Sequence, residues 1–273
     1  MNTSALGQHE SEARPWPFLG VPERSSKPRD RGLTLARDPG LGARSLDISL
    51  ETCAPFVDVL KFRNVTPALF PLSQLRDKLA LLHSHQIAGM TGGVLLEWAF
   101  ANRMVDRVID AAAEYGFAMM EVSDGIIPIP DNEQDQLARK VRSAGLRLVM
   151  EWGRKWPDGM ASPETVAQAV QTRVDMGAEL VVIEESELNL MFAQEPEQLE
   201  SWLSKFEAMV DPRQVTYEVP QRNHQALLIR HFGPDVNIGP NLDLDEVLWL
   251  EPMRRGLGKE VGYAALTPGG EDD

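Results

Sequence analysis

Eight short runs with β-strand character, separated by longer segments of helical or turn character, constrain the fold of this chain more than any other feature. Strands that alternate with helices pair in parallel. When the right-handed crossovers between them have similar lengths, the simplest arrangement of the sheet is a closed barrel. The sequence therefore predicts an α/β fold consisting of a single (β/α)8 TIM barrel. The eight runs are Leu33–Ala36, Val57–Phe62, Ile87–Thr91, Ala118–Val122, Leu146–Glu151, Leu180–Glu184, Val215–Glu218 and Val236–Gly239.

Six segments between these runs have helical spacing. Ser162 is followed by Pro163 and Glu164, which combine an N-cap hydroxyl, a first-turn proline and a first-turn acid. A doubly wound open sheet is the competing topology, but no Gly-x-Gly-x-x-Gly follows the first strand and no phosphate-binding loop with Gly-Lys-Ser/Thr occurs. The predicted helices are Leu72–Ser84, Leu96–Tyr115, Glu133–Ala144, Pro163–Met176, Pro196–Met209 and Gln221–Phe232.

Length and composition favour one domain with flexible ends. A chain of 273 residues with 43% hydrophobic residues has the size of a single α/β barrel, which is about 250 residues. Residues 1–31 mix Ser, Pro, Glu and Arg without a strand or helix period and predict a disordered or loosely docked N-terminal arm. We assign the barrel to residues 32–260 and a flexible acidic tail to residues 261–273.

The charge and the apolar pattern exclude some partners. The formal net charge is −14 and there is no basic stripe, which argues against binding of nucleic acid. No apolar run is long enough for a membrane span. The single Cys53 excludes an internal disulfide framework and fits a reducing cytoplasm. We expect a cytoplasmic protein that acts on a small anionic substrate, alone or as a homo-oligomer.

Charged residues stand where the predicted strands end, and in a barrel the loops at these ends build the active site. Alternate side chains of a strand share a face, so Glu151, Glu184 and Glu218 should point the same way as Val149, Val182 and Thr216. A structural alternative is that each acid caps the helix that follows it. The charged residues are Asp38, Lys61, Glu97, Glu121, Asp124, Glu151, Glu184 and Glu218.

Mutual repulsion among glutamates at one mouth calls for a cation. Oxygen-only ligands without a His or Cys cluster favour a hard ion, so we predict Mg²⁺. Lys61, at the end of an apolar strand, and Lys155, in a loop rich in aromatic residues, are candidates to bind an anion or to move a proton. Both remain open to a structural interpretation, as lysines that extend to solvent or stack on Trp156.

The last two strand loops of many barrels bind phosphate. This rule places a candidate anion site at Arg230 and at Asn237 to Asn241, including Gly239.

From Gly32 to about Leu257, the order and spacing of several segments resemble the phosphosulfolactate synthase family. The family is built on a barrel and adds sulfite to phosphoenolpyruvate with Mg²⁺. The segments are Arg37 to Gly42, Val59 to Phe62, Gly92-Gly93 with Glu97, Glu121 to Gly125, Glu151 to Lys155, Val182 to Glu184, Tyr217 to Pro220 and Leu228 to Gly239.

The resemblance implies that sulfite attacks the methylene carbon of phosphoenolpyruvate and that a lysine then protonates the adjacent carbon. We assign the acid to Lys155 and an anion contact to Lys61, with the exchange of these roles left open, and we include Glu97 in the catalytic set. Substrate contacts are expected from Asp38, Ser123, Arg230, Asn237 and Gly239, and metal ligands from Glu121, Glu151, Glu184 and Glu218.

The chain departs from the family pattern at Pro39, at Arg63 to Pro67 and at Glu185 to Leu188. These changes remove positive charge from the loops that would hold two anions. Three functions therefore stay open at this point: the sulfite-adding lyase, a diverged biosynthetic enzyme that uses enolate chemistry on another substrate, and a non-catalytic barrel like the heat-stress-associated plant branch of the family.

Overall fold

The computed structural model describes residues 15–266 and contains a closed barrel of eight parallel strands in sequence order, β1 to β8, with β1 paired to β8. The predicted TIM barrel is therefore confirmed. Every predicted strand is present, and its ends differ from the prediction by at most three residues. The strands are β1 Thr34–Arg37, β2 Val59–Phe62, β3 Ala88–Thr91, β4 Met119–Val122, β5 Arg147–Trp152, β6 Leu180–Ile183, β7 Val215–Tyr217 and β8 Ile238–Leu242.

Helices cover the outside of the barrel. The predicted helix Leu96–Tyr115 is wrong as a single element, because the chain turns at Arg103, whose φ of 56° is left-handed, and two helices result. Helices α1, α7 and α10 were not predicted. The helices are α1 Ala43–Cys53, α2 Leu72–Ser84, α3 Gly93–Ala101, α4 Val105–Tyr115, α5 Asp131–Ser143, α6 Pro163–Asp175, α7 Glu185–Phe192, α8 Pro196–Glu207, α9 Arg222–Phe232 and α10 Val247–Arg254.

Two apolar layers hold the fold together. The larger layer lies between the strands and the surrounding helices. The smaller one is formed by residues of alternate strand positions, among them Val59, Met119, Val149 and Val182, and fills the barrel interior as expected for this fold. Side chains two positions further along these strands share that inward face and lie nearer the C-terminal mouth.

Part of the predicted arm is anchored to the opposite end, the floor of the barrel. Arg24 pairs with Glu251 of α10, and Arg29 Nε lies 3.2 Å from Asp58 Oδ1; these four side chains are nearly inaccessible to solvent. Val261, inside the predicted tail, is also buried. The predictions for residues 1–14 and 267–273 lie outside the described residues. Within 15–266, no helix is long and apolar enough to cross a membrane.

Candidate active site

Three glutamates from neighbouring strands meet at the C-terminal mouth. Glu151 lies in β5, and Glu184 and Glu218 directly follow β6 and β7. One carboxylate oxygen from each lies within 4.8 Å of the other two, and all three residues are buried. The strand register explains this meeting, because Glu151 is aligned with Val182 of β6, two residues before Glu184. The structure thus brings together three of the four predicted metal ligands.

The fourth, Glu121, is engaged differently. Its carboxylate lies 2.8 Å from Lys61 Nζ and accepts a hydrogen bond of 2.5 Å from the backbone N–H of Gly93 at the start of α3. A carboxylate near a helix N-terminus is stabilised by the helix dipole. Glu121 therefore links β4 to β2 and α3 beside the three clustered glutamates.

Two lysines lie against the carboxylates. Lys61 is nearly inaccessible, with 8% of its side chain exposed, and its Nζ is also 3.9 Å from Glu151. Lys155 pairs with Glu184, and its Nζ lies 3.3 Å from Glu151 Oε1 and 3.9 Å from Glu218 Oε2. With 28% of its side chain exposed, Lys155 is the lysine that a molecule entering the mouth can reach.

The pKa values of the three clustered glutamates are shifted in opposite directions. Burial raises the pKa of Glu151 to about 8, with a further contribution from the charge of Glu121. Burial and the neighbouring Glu218 raise the pKa of Glu184 to about 9. Burial acts in the same sense on Glu218, but the pKa of Glu218 is lowered because Lys61, Glu184 and Lys155 together favour its ionised form. One carboxylate of the cluster is thus kept charged at neutral pH.

The two ammonium groups are held in the charged state. Burial alone would lower the pKa of Lys61, but Glu121, Glu218 and Glu151 outweigh it and raise the pKa. The same balance, with Glu151 as the leading partner, raises the pKa of Lys155. Both lysines therefore carry a proton at neutral pH.

Glu97 and Ser123 form a structural contact behind the mouth. Ser123 Oγ donates to Glu97 Oε1, and Glu97 Oε2 accepts from the N–H groups of Ile126 at 3.1 Å and Ile127 at 2.7 Å. Both carboxylate oxygens are occupied, and the residue is buried. Glu97 thus shapes the loop after β4, a position that does not fit direct catalysis, whereas Ser123 does line the cavity described below.

Asp38 is paired inside the protein. Its Oδ1 lies 2.6 Å from Nζ of Lys78 in α2, and neither side chain has more than 1% of its surface exposed. Burial raises the pKa of Asp38 while the Lys78 ammonium opposes that shift. This enclosed pair does not fit the predicted substrate contact at Asp38.

Arg230, Asn237 and Gly239 of the predicted anion site do not come together at the mouth. Arg230 is directed to the carbonyl of Glu260, and Asn237 lies before β8, where its amide binds backbone groups including Leu33 N at 2.8 Å and Val215 O at 2.9 Å. A Cβ at Gly239 would lie 2.0 Å from the carbonyl oxygen of Leu35, so this glycine serves strand packing. The prediction that these three residues bind an anion at the mouth is therefore wrong. Arg230 belongs to α9 on the outside of the barrel, and Asn237 lies at the floor, before β8.

A cavity of about 150 Å³ opens at the mouth. Arg63 and Asn64 line it and were not among the predicted site residues, whereas Asn241 belongs to the segment Asn237 to Asn241 that was predicted to bind an anion. Asn241 is inside β8, beyond the predicted end of that strand, and this part of the predicted anion segment does reach the mouth. The cavity is lined by Lys61, Arg63, Asn64, Gly92, Gly93, Val94, Glu121, Ser123, Glu151, Lys155, Glu218 and Asn241.

Residues 22–260 match the family model described as (2R)-phospho-3-sulfolactate synthase (ComA). The chain belongs to this family. A phosphosulfolactate synthase of Methanothermobacter thermautotrophicus is 30% identical over 254 residues, which cover 90% of this chain and 97% of that protein. A phosphosulfolactate synthase of Methanocaldococcus jannaschii is 30% identical over 232 residues, or 83% of this chain and 92% of that protein. The family membership predicted from the segment pattern is confirmed.

Solved structures share the architecture at low sequence identity. The 3-dehydroquinate dehydratase of Enterococcus faecalis superposes with a TM-score of 0.56 at 10% identity, over 84% of this chain and 95% of that one. At this identity the likeness shows the barrel fold alone.

Proposed function

We propose that this chain catalyses the addition of sulfite to phosphoenolpyruvate with Mg²⁺ as cofactor. The observation that carries the proposal is the mouth itself, where three buried glutamates and two charged lysines converge. The family relatives named phosphosulfolactate synthase support the same reaction class.

The donor set fits Mg²⁺. Three carboxylates offer oxygen atoms within 4.8 Å of one another, and Mg²⁺ prefers oxygen ligands and often takes one or two carboxylates together with groups of the substrate. Oε1 of Glu151 is buried and accepts no hydrogen bond from any described residue, although Lys155 Nζ lies 3.3 Å away, so a metal bound to this atom would replace that ammonium contact. Glu151, Glu184 and Glu218 would hold the ion, which would supply positive charge where negative charge develops on the substrate.

Lys155 is suited to the proton transfer. As the sulfur of sulfite forms a bond to the methylene carbon of phosphoenolpyruvate, the π electrons move to the adjacent carbon, which then takes a proton from Lys155 Nζ. The Lys155 side chain is partly exposed to the mouth, so its ammonium can approach that carbon, whereas Lys61 is enclosed between Glu121 and Glu151. Lys61 would stabilise negative charge without leaving its position.

The size of the cavity favours small substrates. About 150 Å³ is below the roughly 300–1,000 Å³ typical of sites for drug-sized ligands. A cavity of this size counts against the alternative of a diverged biosynthetic enzyme in so far as that enzyme takes a ligand larger than phosphoenolpyruvate. It leaves the choice of a small nucleophile to experiment.

The test is direct assay of the purified protein with phosphoenolpyruvate, sulfite and Mg²⁺. Phosphorus NMR and mass spectrometry should detect a phosphorylated sulfonate that forms only when all three are present and disappears on chelation by EDTA. Lys155→Met should lower kcat by at least about a hundredfold, the scale of general acid catalysis. Lys205→Met, on the exposed face of α8, is the matched control. No turnover at any sulfite concentration would exclude this reaction.

A further inference from the structure

Three cationic side chains line the cavity, and two of them are already paired. Lys61 lies against Glu121 and Glu151, and Lys155 lies against Glu184, Glu151 and Glu218. The third is Arg63, which directly follows β2.

Arg63 is exposed at the rim of the cavity. Within residues 15–266, no carboxylate lies at ion-pairing distance from its guanidinium. Asp38 feels its charge from further away, but Asp38 is itself paired with Lys78 at 2.6 Å. The guanidinium therefore keeps its charge and its five N–H donors available to a ligand.

The charges around the cavity show why such a cation is needed. The four glutamates Glu121, Glu151, Glu184 and Glu218, when ionised, exceed the two lysines by two negative charges. A bound divalent cation brings this balance to zero. A substrate that carries both a carboxylate and a phosphoryl group then adds more negative charge than the two lysines, which are already paired with glutamates, can offset.

The backbone fixes the segment that carries Arg63. The N–H of Gly92 donates to the carbonyl of Phe62 at 2.9 Å, so the end of β2 is tied to the residue before α3. A Cβ at Gly92 would lie 3.0 Å from that carbonyl oxygen, so this close approach favours glycine. Arg63 is thus attached to a defined edge of the cavity.

We infer that Arg63 binds the phosphoryl group of the substrate at the rim of the cavity, while the carboxylate end lies near the glutamates and lysines. An arginine matches two phosphoryl oxygens with parallel N–H groups, which a lysine cannot do. The inference rests on the proposed function and extends it, because it assigns recognition of the phosphoryl group to Arg63, a residue of the segment in which this chain departs from the family pattern.

Calorimetric titration in the presence of Mg²⁺ tests the inference on four proteins: the unsubstituted chain, Arg63→Gln, Arg63→Lys and the control Arg139→Gln. Arg139 is an exposed arginine of α5 that pairs with Asp135 on the outer surface. Each protein is titrated with phosphoenolpyruvate, with pyruvate and with inorganic phosphate. Arg63→Gln should weaken phosphoenolpyruvate binding about tenfold to a hundredfold, the scale of a charged hydrogen bond.

Comparing phosphoenolpyruvate with pyruvate distinguishes a contact to the phosphoryl group from a general loss of binding. Pyruvate affinity should be unchanged in Arg63→Gln, Arg63→Lys should be intermediate for phosphoenolpyruvate, and Arg139→Gln should match the unsubstituted chain. Equal loss of phosphoenolpyruvate and pyruvate binding, or no loss of either, overturns the inference. If the unsubstituted chain does not bind phosphoenolpyruvate, the proposed function fails. The Kd for inorganic phosphate then tests the role of Arg63 by itself: a Kd that is the same in Arg63→Gln as in the unsubstituted chain overturns the inference that Arg63 binds a phosphoryl group.

Discussion

Lys78 is a fully buried lysine whose ammonium is satisfied entirely inside the protein. Besides Asp38, it contacts the carbonyl of Leu41 at 2.9 Å and lies over the rings of Phe70 and Phe62, 4.4 and 5.2 Å from their centres. The pair fastens the loop after β1 to α2. The position of Asp38 at a strand end predicts a substrate contact. The structure differs because Asp38 pairs with Lys78, 40 positions later on an inward helical face, and the sequence does not reveal this pairing.

Lys78→Met should lower the free energy of unfolding by about 3–5 kcal/mol, since it leaves the carboxylate of Asp38 buried without a counter-charge. The double variant Lys78→Met/Asp38→Asn should recover much of that loss. Urea unfolding measures both. The control is Lys140→Met, which removes an exposed pair with Asp106 and should cost less than about 1 kcal/mol. Similar losses for Lys78→Met and Lys140→Met would contradict a stabilising buried pair.

At the scale of elements, the strands were more predictable than the helices. Eight apolar runs with β-branched residues give a clear signal. Helices α1 and α10 were missed although their helical spacing is as strong as that of the predicted α2 and α6, and only the short α7 carries weaker spacing. Helix α7 illustrates the difficulty, because it begins directly after Glu184 in a loop that departs from the family pattern. The alternation within strands did place Glu151, Glu184 and Glu218 on one face, since that face follows from residue parity. Cavity residues in loops, such as Arg63, have no such rule.

The start of α3 packs so closely against the end of β4 that there is no room for a side chain at Gly93. A Cβ there would lie 2.2 Å from Ser123 Oγ and 3.2 Å from Glu121 Oε2. Gly93→Ala should therefore displace two cavity residues and lower kcat/KM at least about tenfold, because misplacement by about 1 Å can cost a hundredfold. Gly159→Ala is the control, since no atom lies within 4 Å of its added Cβ. Steady-state kinetics and circular dichroism measure the effect, and unchanged kcat/KM in Gly93→Ala would refute this packing argument.

At the scale of the whole molecule, the contacts that stabilise the barrel and the residues proposed to act on the substrate lie at different ends of it. The floor holds buried ion pairs that connect residues 24–29 to Asp58 and Glu251. The interior is filled by apolar side chains, and the mouth concentrates glutamates whose repulsion is offset by protons on Glu151 and Glu184, by the two lysines or by a bound cation. A closed ring of eight strands can hold these carboxylates in place against their repulsion, because each lies in or directly after a strand that is hydrogen-bonded on both sides. The mouth is therefore the part of the fold that gains most from a bound cation.

Because Glu151, Glu184 and Glu218 come from three consecutive strands, binding of Mg²⁺ should stabilise the barrel as a unit. A ligand present at a hundred times its Kd adds about 2.7 kcal/mol. In a protein of this size, this corresponds to a rise in Tm of roughly 5–10 °C, because each kcal/mol shifts Tm by about 2–4 °C. Scanning calorimetry across a Mg²⁺ titration measures the rise. Glu218→Gln should abolish most of it, whereas Glu179→Gln, which alters an exposed floor glutamate paired with Arg147 at 2.7 Å, should retain it. An equal Mg²⁺ response in both variants would place the ion away from the mouth.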